Sequence, residues 1–285
     1  MNFSILYRGP LSSCNYGCDY CPFAKTKNTR AELTEDARQL QRFIGWIQSH
    51  PEHTFGILFT PWGEALIRKY YQEALTELSH LPNIRKVAIQ TNLACSTDWL
   101  RHCNKEKLAL WTTYHPTQVT REAFIKKCRE LDYLQVRYSV GVVGFKEAFT
   151  EIEALRQALS PGVYVWINAY KREPDYYSQA DIQALGQIDP LFAYNTRHHP
   201  SLNRACRTGE TVFSVDGEGT MYRCHFIRTP IGNIYQEPFE QYLFPRQCTN
   251  GSCGCHIGYV HMQELNLYAV FGEGVLERIP DPSAW

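Results

Sequence analysis

The stretch that decides the fold runs from residue 3 to residue 23 and reads FSILYRGPLSSCNYGCDYCPF. Its first part, FSILYRG, is a short apolar run closed by a Gly-Pro turn signal, as a buried parallel strand reads. The second part carries Cys14, Cys18 and Cys21 in a C-x3-C-x2-C spacing. Three thiolates on one loop can hold three irons of a cubane cluster and leave the fourth iron open to a chelating small molecule. A structural zinc ion asks for four closed ligands, usually in C-x2-C pairs, and this loop contains no fourth Cys or His. The loop comes directly after the strand, at the carboxyl end where α/β folds carry their chemistry.

Working outward, five further runs repeat the strand signature: FGILFT from Phe55, KVAIQTN from Lys86, LALWTTYH from Leu108, LQVRYSVGV from Leu134 and VYVWINA from Val163. Helical patterns separate them. In the first, Ala37, Leu40, Phe43, Ile44 and Ile47 share one face, with Thr34 placed to cap and Glu35 and Asp36 in the first turn. Similar patterns lie near 65–79, 96–105, 119–130, 146–159 and 178–187. Repeated βα units imply a parallel sheet, which is a doubly wound layer if flat and an open barrel if curled. We expect an α/β fold: a partial (β/α)6 TIM-like barrel over residues 1–195, with a small Cys-rich extension of β-hairpin plus helix over 196–285.

The 285 residues carry 29 basic and 29 acidic side chains, for a formal net charge of zero. No polybasic run argues for a nucleic acid or an anionic membrane as partner, and no apolar run approaches membrane-spanning length. The N-terminus, MNFSILY, lacks the pattern of a secretory signal, so the expected location is cytoplasmic. Eleven cysteines, odd in number and clustered, disfavour a disulfide framework there. Cys95, Cys103 and Cys128 are scattered through the βα units and read as small buried hydrophobes.

The motif around the first three cysteines resembles the signature of the radical S-adenosylmethionine (SAM) superfamily, C-x3-C-x-aromatic-C, with Tyr20 as the aromatic. The resemblance covers residues 3–190. It implies that a reduced [4Fe–4S] cluster on Cys14, Cys18 and Cys21 cleaves SAM to a 5′-deoxyadenosyl radical, which takes a hydrogen atom from substrate. It also implies a flavodoxin- or ferredoxin-type electron donor. The family's Gly-Gly-Glu motif after the second strand, which receives the SAM amino group, is matched by TPWGEAL at Gly63 and Glu64, with Trp62 replacing the first glycine. Asn92 and Ser139 resemble polar residues near the SAM site; each also reads as an ordinary strand-end polar residue. Tyr114, His115 and Asn168 end strands four and six and are candidates to face substrate. Tyr16, Tyr20, Phe23, Trp62, Trp111, Tyr114 and Tyr170 could line the mouth, although most strand aromatics are core.

The remaining cysteines are Cys206, Cys224, Cys248, Cys253 and Cys255. The hairpin TVFSVDGEGTMYRC turns at residues 216–219, and the surrounding segment has too few large apolar residues for a core of its own, which suggests a metal centre. A last helix is expected over 257–271, ending at Gly272. Cys206, Gly219 and Cys224, followed by IGNI from Ile231, resemble the SPASM/twitch auxiliary-cluster domain. That resemblance implies a second [4Fe–4S] cluster, on Cys206, Cys224, Cys253 and Cys255. Cys248 is then the spare thiol, able to return a hydrogen atom to a substrate radical as a fourth catalytic cysteine, though it also reads as a ligand or an inert thiol. Zinc remains open here, because Cys253, Cys255 and His256 offer mixed ligands.

Proteins of this kind commonly oxidise, cross-link or epimerise peptides or protein side chains; the alternatives are a small-molecule dehydrogenase and a non-catalytic iron–sulfur or zinc scaffold. Only two residues precede the first strand, so a peptide substrate is expected either to dock directly on the barrel mouth or to need a separate recognition protein.

Overall fold

The computed structural model describes residues 1–23 and 26–284. Strands β1 (Asn2–Arg8), β2 (Thr54–Phe59), β3 (Ile84–Thr91), β4 (Leu108–Thr113), β5 (Arg137–Val143) and β6 (Val165–Asn168) lie side by side, each parallel to the next. Each coincides with one of the apolar runs. Helices α1 (Arg30–Gln48), α2 (Lys69–His80), α3 (Arg121–Tyr133), α4 (Phe149–Ala158) and α5 (Gln179–Gly186) alternate with them. Leu40, Phe43, Ile44 and Ile47 of α1, with Tyr71, Leu75 and Leu78 of α2, join alternate residues of the strands in one large apolar cluster.

A second cluster holds the other strand face: Leu6, Leu58, Ala88, Trp111 and Trp166. The Trp111 and Trp166 rings meet edge-on at 5.6 Å across the intervening β5. Gly141 of β5 permits this, since a Cβ there would stand 1.9 Å from the Trp166 ring. The α/β architecture is the partial barrel expected from sequence.

Three local expectations change. Helix α1 begins at Arg30 rather than after Thr34. Thr29 and Glu32 form a capping box, with the Glu32 amide donating to Thr29 Oγ1 at 3.3 Å and the Thr29 amide to Glu32 Oε2 at 2.6 Å. Thr34 lies inside the helix and donates to the Arg30 carbonyl. Of the pattern at 96–105 only a 3-10 turn, Asp98–His102, forms. The expected helix over 257–271 is broken into His256–Tyr259 and Leu267–Phe271, with Asn266 between them at φ 49°, in the left-handed region.

Two larger features were not foreseen. The hairpin is not a surface appendage: β7 (Val212–Asp216) pairs parallel with β1, and β8 (Thr220–Tyr222) and β9 (Pro230–Asn233) follow antiparallel. The result is one nine-stranded sheet in the order β9-β8-β7-β1-β2-β3-β4-β5-β6. Val212, Phe213 and Val215 are all buried, so β7 is packed on both faces and covers the edge that β1 would otherwise present. In addition, the chain after Gly272 turns back beneath the barrel. Leu276 joins the inner cluster, and Glu277, fully buried, lies 3.2 Å from Lys86 Nζ and 3.3 Å from an Arg137 nitrogen. Among the described residues no helix is long and apolar enough to cross a membrane.

Candidate active site

The loop after β1 is tied to the rim of the barrel from several sides. The amides of Ser12 and Ser13 donate to Asn28 Oδ1, both at 2.8 Å. The Glu64 amide donates to the Ser13 carbonyl at 3.1 Å. Across the mouth, Gln118 accepts from the Gly17 amide at 2.9 Å and Arg172 donates to the Tyr20 carbonyl at 2.8 Å. These clamps hold Cys14, Cys18 and Cys21 over the carboxyl ends of the strands. None of Asn28, Gln118 or Arg172 carried a sequence signal, because a polar loop residue looks the same whether it clamps a site or faces solvent.

Gly63 is required where it stands. A Cβ there would lie 1.9 Å from the Ser13 carbonyl oxygen, so the turn after β2 can pack on the cysteine loop only with a glycine. Trp62, at the departure from the family motif, turns outward instead, with its ring tilted against Phe23 and beneath the Arg8 guanidinium at 4.1 Å. Glu64 is buried, and its carboxylate accepts from Thr91 Oγ1 at 2.8 Å and from the amides of Asn92 and Leu66 at 2.6 and 3.0 Å. Burial pushes its pKa up to about 7 despite these donors. The Asn92 side chain donates to Asn15 at 2.9 Å and reaches Cys14 Sγ at 3.8 Å. Gly63, Glu64, Asn92 and Cys14 are thus brought together.

Tyr20 and His115 form the opposite wall. The Tyr20 hydroxyl lies 2.8 Å from His115 Nδ1, which is also 3.5 Å from Cys18 Sγ, and the two rings stack. Burial lowers the His115 pKa to about 4, so the ring is neutral at pH 7. Asn168 is exposed at the end of β6, and Tyr170 packs on Phe145 beside it. Two candidates stand apart. Tyr114 is buried, with its hydroxyl committed to Glu151. Ser139 is fully buried low in the barrel, donating to the Glu277 carbonyl at 2.8 Å and accepting from the Trp166 indole. Ser139 reads as a core contact here, because the C-terminal segment occupies the space beneath it.

Among the C-terminal cysteines the structure sorts four from one. Cys206, Cys224, Cys248 and Cys253 line a single cavity with Thr208, Phe226 and Met262. Short ladders place them: Cys206 pairs with Arg246, and Cys253 with His199. The Ile227 amide donates to the Cys224 carbonyl at 3.2 Å, and Thr208 Oγ1 to the Cys206 sulfur at 3.1 Å. Arg223, buried, clamps this region through Thr208 and the carbonyls of Arg246 and Gln247. Cys255, expected beside them as a ligand, does not line that cavity, whereas Cys248, expected to be the spare thiol, does. Among the described residues, no three Cys, His, Asp or Glu side chains are close enough to share a single metal ion.

No family model matches the chain, and no curated protein matches it in sequence. Solved structures do match it. Native anSMEcpe with bound AdoMet aligns over 85% of this chain and 80% of its own, at 15% identity and a TM-score of 0.58. The same protein with AdoMet and a Cp18Cys peptide aligns at 16% identity and a TM-score of 0.55, and its hexahistidine-tagged form over 92% of this chain at 14% identity and 0.56. The likeness is one of fold. These neighbours are radical SAM enzymes that bind AdoMet, which is S-adenosylmethionine. This chain shares their partial barrel.

Proposed function

We propose that this chain is a radical SAM enzyme that abstracts a hydrogen atom from a peptide or protein substrate in order to oxidise, cross-link or epimerise it. The observation that carries the reading is the clamped loop with Cys14, Cys18 and Cys21 at the barrel mouth, beside buried Glu64. When bound there, a reduced [4Fe–4S] cluster and SAM supply a 5′-deoxyadenosyl radical. The residues fit that group: three thiols share one loop, and the Tyr16 amide donates to Cys14 Sγ at 3.4 Å.

Glu64 acts as the acceptor for the SAM ammonium. Its Oε2 takes only the Asn92 amide, leaving acceptor capacity on a carboxylate that three donors hold in place. Asn92 positions both this carboxylate and the loop. Tyr16, Tyr20, His115 and Phe145 pack together as an aromatic wall that keeps water from the reacting atoms. A second [4Fe–4S] cluster is assigned to Cys206, Cys224, Cys248 and Cys253, the four thiols that face one cavity. This exchanges Cys248 for Cys255 relative to the set expected from sequence. The peptide complex of the structural neighbour supports a peptide substrate, and a flavodoxin- or ferredoxin-type protein is the proposed electron donor.

Anaerobic reconstitution with iron and sulfide counting, followed by a 5′-deoxyadenosine assay with dithionite and SAM, tests this. We expect about eight irons per chain, with deoxyadenosine formation abolished in Cys14→Ala. About four irons with retained cleavage would make the C-terminal site a zinc or empty site. Absence of both cluster and cleavage would remove the reading altogether.

A further inference from the structure

The chain balances 29 basic against 29 acidic residues, yet one flank of the barrel departs from that balance. Between the 3-10 turn Asp98–His102 and α3 lies a groove of about 440 Å³. Arg101, Lys126, Lys127 and Arg129 line it, against the carboxylates of Asp98 and Glu130. Both carboxylates are already engaged. Asp98 accepts from the Ser96 hydroxyl at 2.7 Å. Glu130 accepts from the Thr97 hydroxyl at 2.7 Å and pairs with Lys127 at 3.2 Å. The side chains of Arg101, Lys126 and Arg129 are exposed, and among the described residues they have no hydrogen-bond or ion-pair partner.

Helical spacing sets the arrangement along α3. Lys126, Arg129 and Tyr133 stand three and four residues apart and share one face, turned away from the buried Phe124, Cys128 and Leu131. Tyr133 is 78% exposed, so this large ring contributes almost nothing to the core. Arginine and tyrosine are the residue types that protein interfaces enrich.

A single small anion is a poor occupant, because each exposed cation attracts it weakly and is screened by salt. Several such cations together steer and orient a partner whose own face carries many carboxylates. Position ties the groove to the cysteine loop. Ser96, in its lining, follows Asn92 by four residues, a span of at most about 14 Å. The Asn92 side chain in turn reaches Cys14 Sγ at 3.8 Å. A protein seated on the groove thus covers the flank from which Asn92 holds the cysteine loop.

We propose that this groove is the docking face for a small acidic electron-transfer protein, whose carboxylates pair with Arg101, Lys126 and Arg129 while Tyr133 packs at the contact. The inference rests on the radical SAM reading, which requires an electron from outside the chain, and it locates the partner that delivers it. One electron passes per docking, so the donor is oxidised and the cluster reduced by that same electron.

The test uses the full chain, anaerobically reconstituted, with an acidic flavodoxin as the probe. Calorimetry reads binding without turnover. Lys126→Glu and Arg129→Glu together should weaken it by about tenfold, and added salt should weaken binding to the parent. Arg101→Glu, from the other wall of the groove, should act in the same direction and smaller measure. Arg38→Glu, on α1, changes the net charge as much as Arg101→Glu does and should leave binding unaltered. Carbodiimide coupling of carboxylates to amines, read by peptide mass spectrometry, should join flavodoxin to Lys126. Deoxyadenosine formation driven by reduced flavodoxin should fall with binding in the double variant, while the rate driven by dithionite, which needs no docking, is kept. No binding to the parent, cross-links only at other lysines, or unaltered binding in the double variant overturns the proposal. Failure of dithionite to yield deoxyadenosine in the parent removes the radical reading instead, and calorimetry and cross-linking still decide the docking face.

Discussion

A methyl group at Gly63 would have nowhere to go, since the atom it meets is backbone oxygen rather than the end of a flexible side chain. Gly63→Ala should therefore destabilise the protein by about 2 kcal/mol and lower the iron retained after reconstitution, as read by urea unfolding and iron analysis. The two C-terminal assignments separate at the same scale. Cys248→Ala should lose about four irons per chain, the content of one cluster. Cys255→Ala should keep the full complement, because Cys255 does not line the four-thiol cavity. Iron loss in the second variant and not the first would reverse the assignment. The motif Cys14, Cys18, Cys21, Gly63 and Glu64 was legible in sequence, because spacing within one loop or turn determines which atoms meet. The choice among five C-terminal thiols was not. It depends on which residues the folded chain brings to one cavity, and that can differ between positions two residues apart, as it does for Cys253 and Cys255.

Elements show a similar division. The strands were legible because burial on both faces demands unbroken apolar runs, and the start of α1 was missed by a few residues because two threonines, Thr29 and Thr34, can each cap. Thr29 holds the box with Glu32, so Thr29→Ala should cost about 1 kcal/mol of stability, measurable as a shifted urea midpoint, whereas Thr34→Ala should change it little. The hairpin was recognised from its turn, but its partner was not. Nothing in VFSVD states that β1 lies beside it, since strand pairing joins residues some two hundred positions apart. The C-terminal segment belongs here as well. Removing Glu277 leaves Lys86 buried and unpaired, so Glu277→Ala should destabilise the fold by about 3 kcal/mol in the same measurement.

Over the whole molecule, several histidines are buried in neutral form, and the sign of their effect on stability can be worked out directly. Burial lowers the His261 pKa from its ordinary 6.5 to about 3, with Nδ1 2.9 Å from the Tyr268 hydroxyl. Above pH 6.5 folded and unfolded chains both hold it neutral. Below that, the unfolded chain binds a proton that the folded one refuses, so stability falls as pH drops toward 3. The loss is about 1.4 kcal/mol per pH unit per such group. His261→Asn should accordingly lose about 1.4 kcal/mol less than the parent between pH 7.5 and 5.5; identical losses would mean that His261 titrates normally in the fold. The sequence by itself determined the class of fold, through alternating apolar runs and helical faces, and pointed to the chemistry, through three thiols on one loop. Those are local patterns, set by the periodicity of buried elements and the reach of one turn. Only the tertiary structure decided that the hairpin completes the barrel sheet, that the C-terminal residues pack on its inner face, and that Cys248 rather than Cys255 lines a cavity with Cys206, Cys224 and Cys253. Each of these joins segments far apart in the chain, and their meeting is dictated by how the whole surface is buried, which no short stretch encodes.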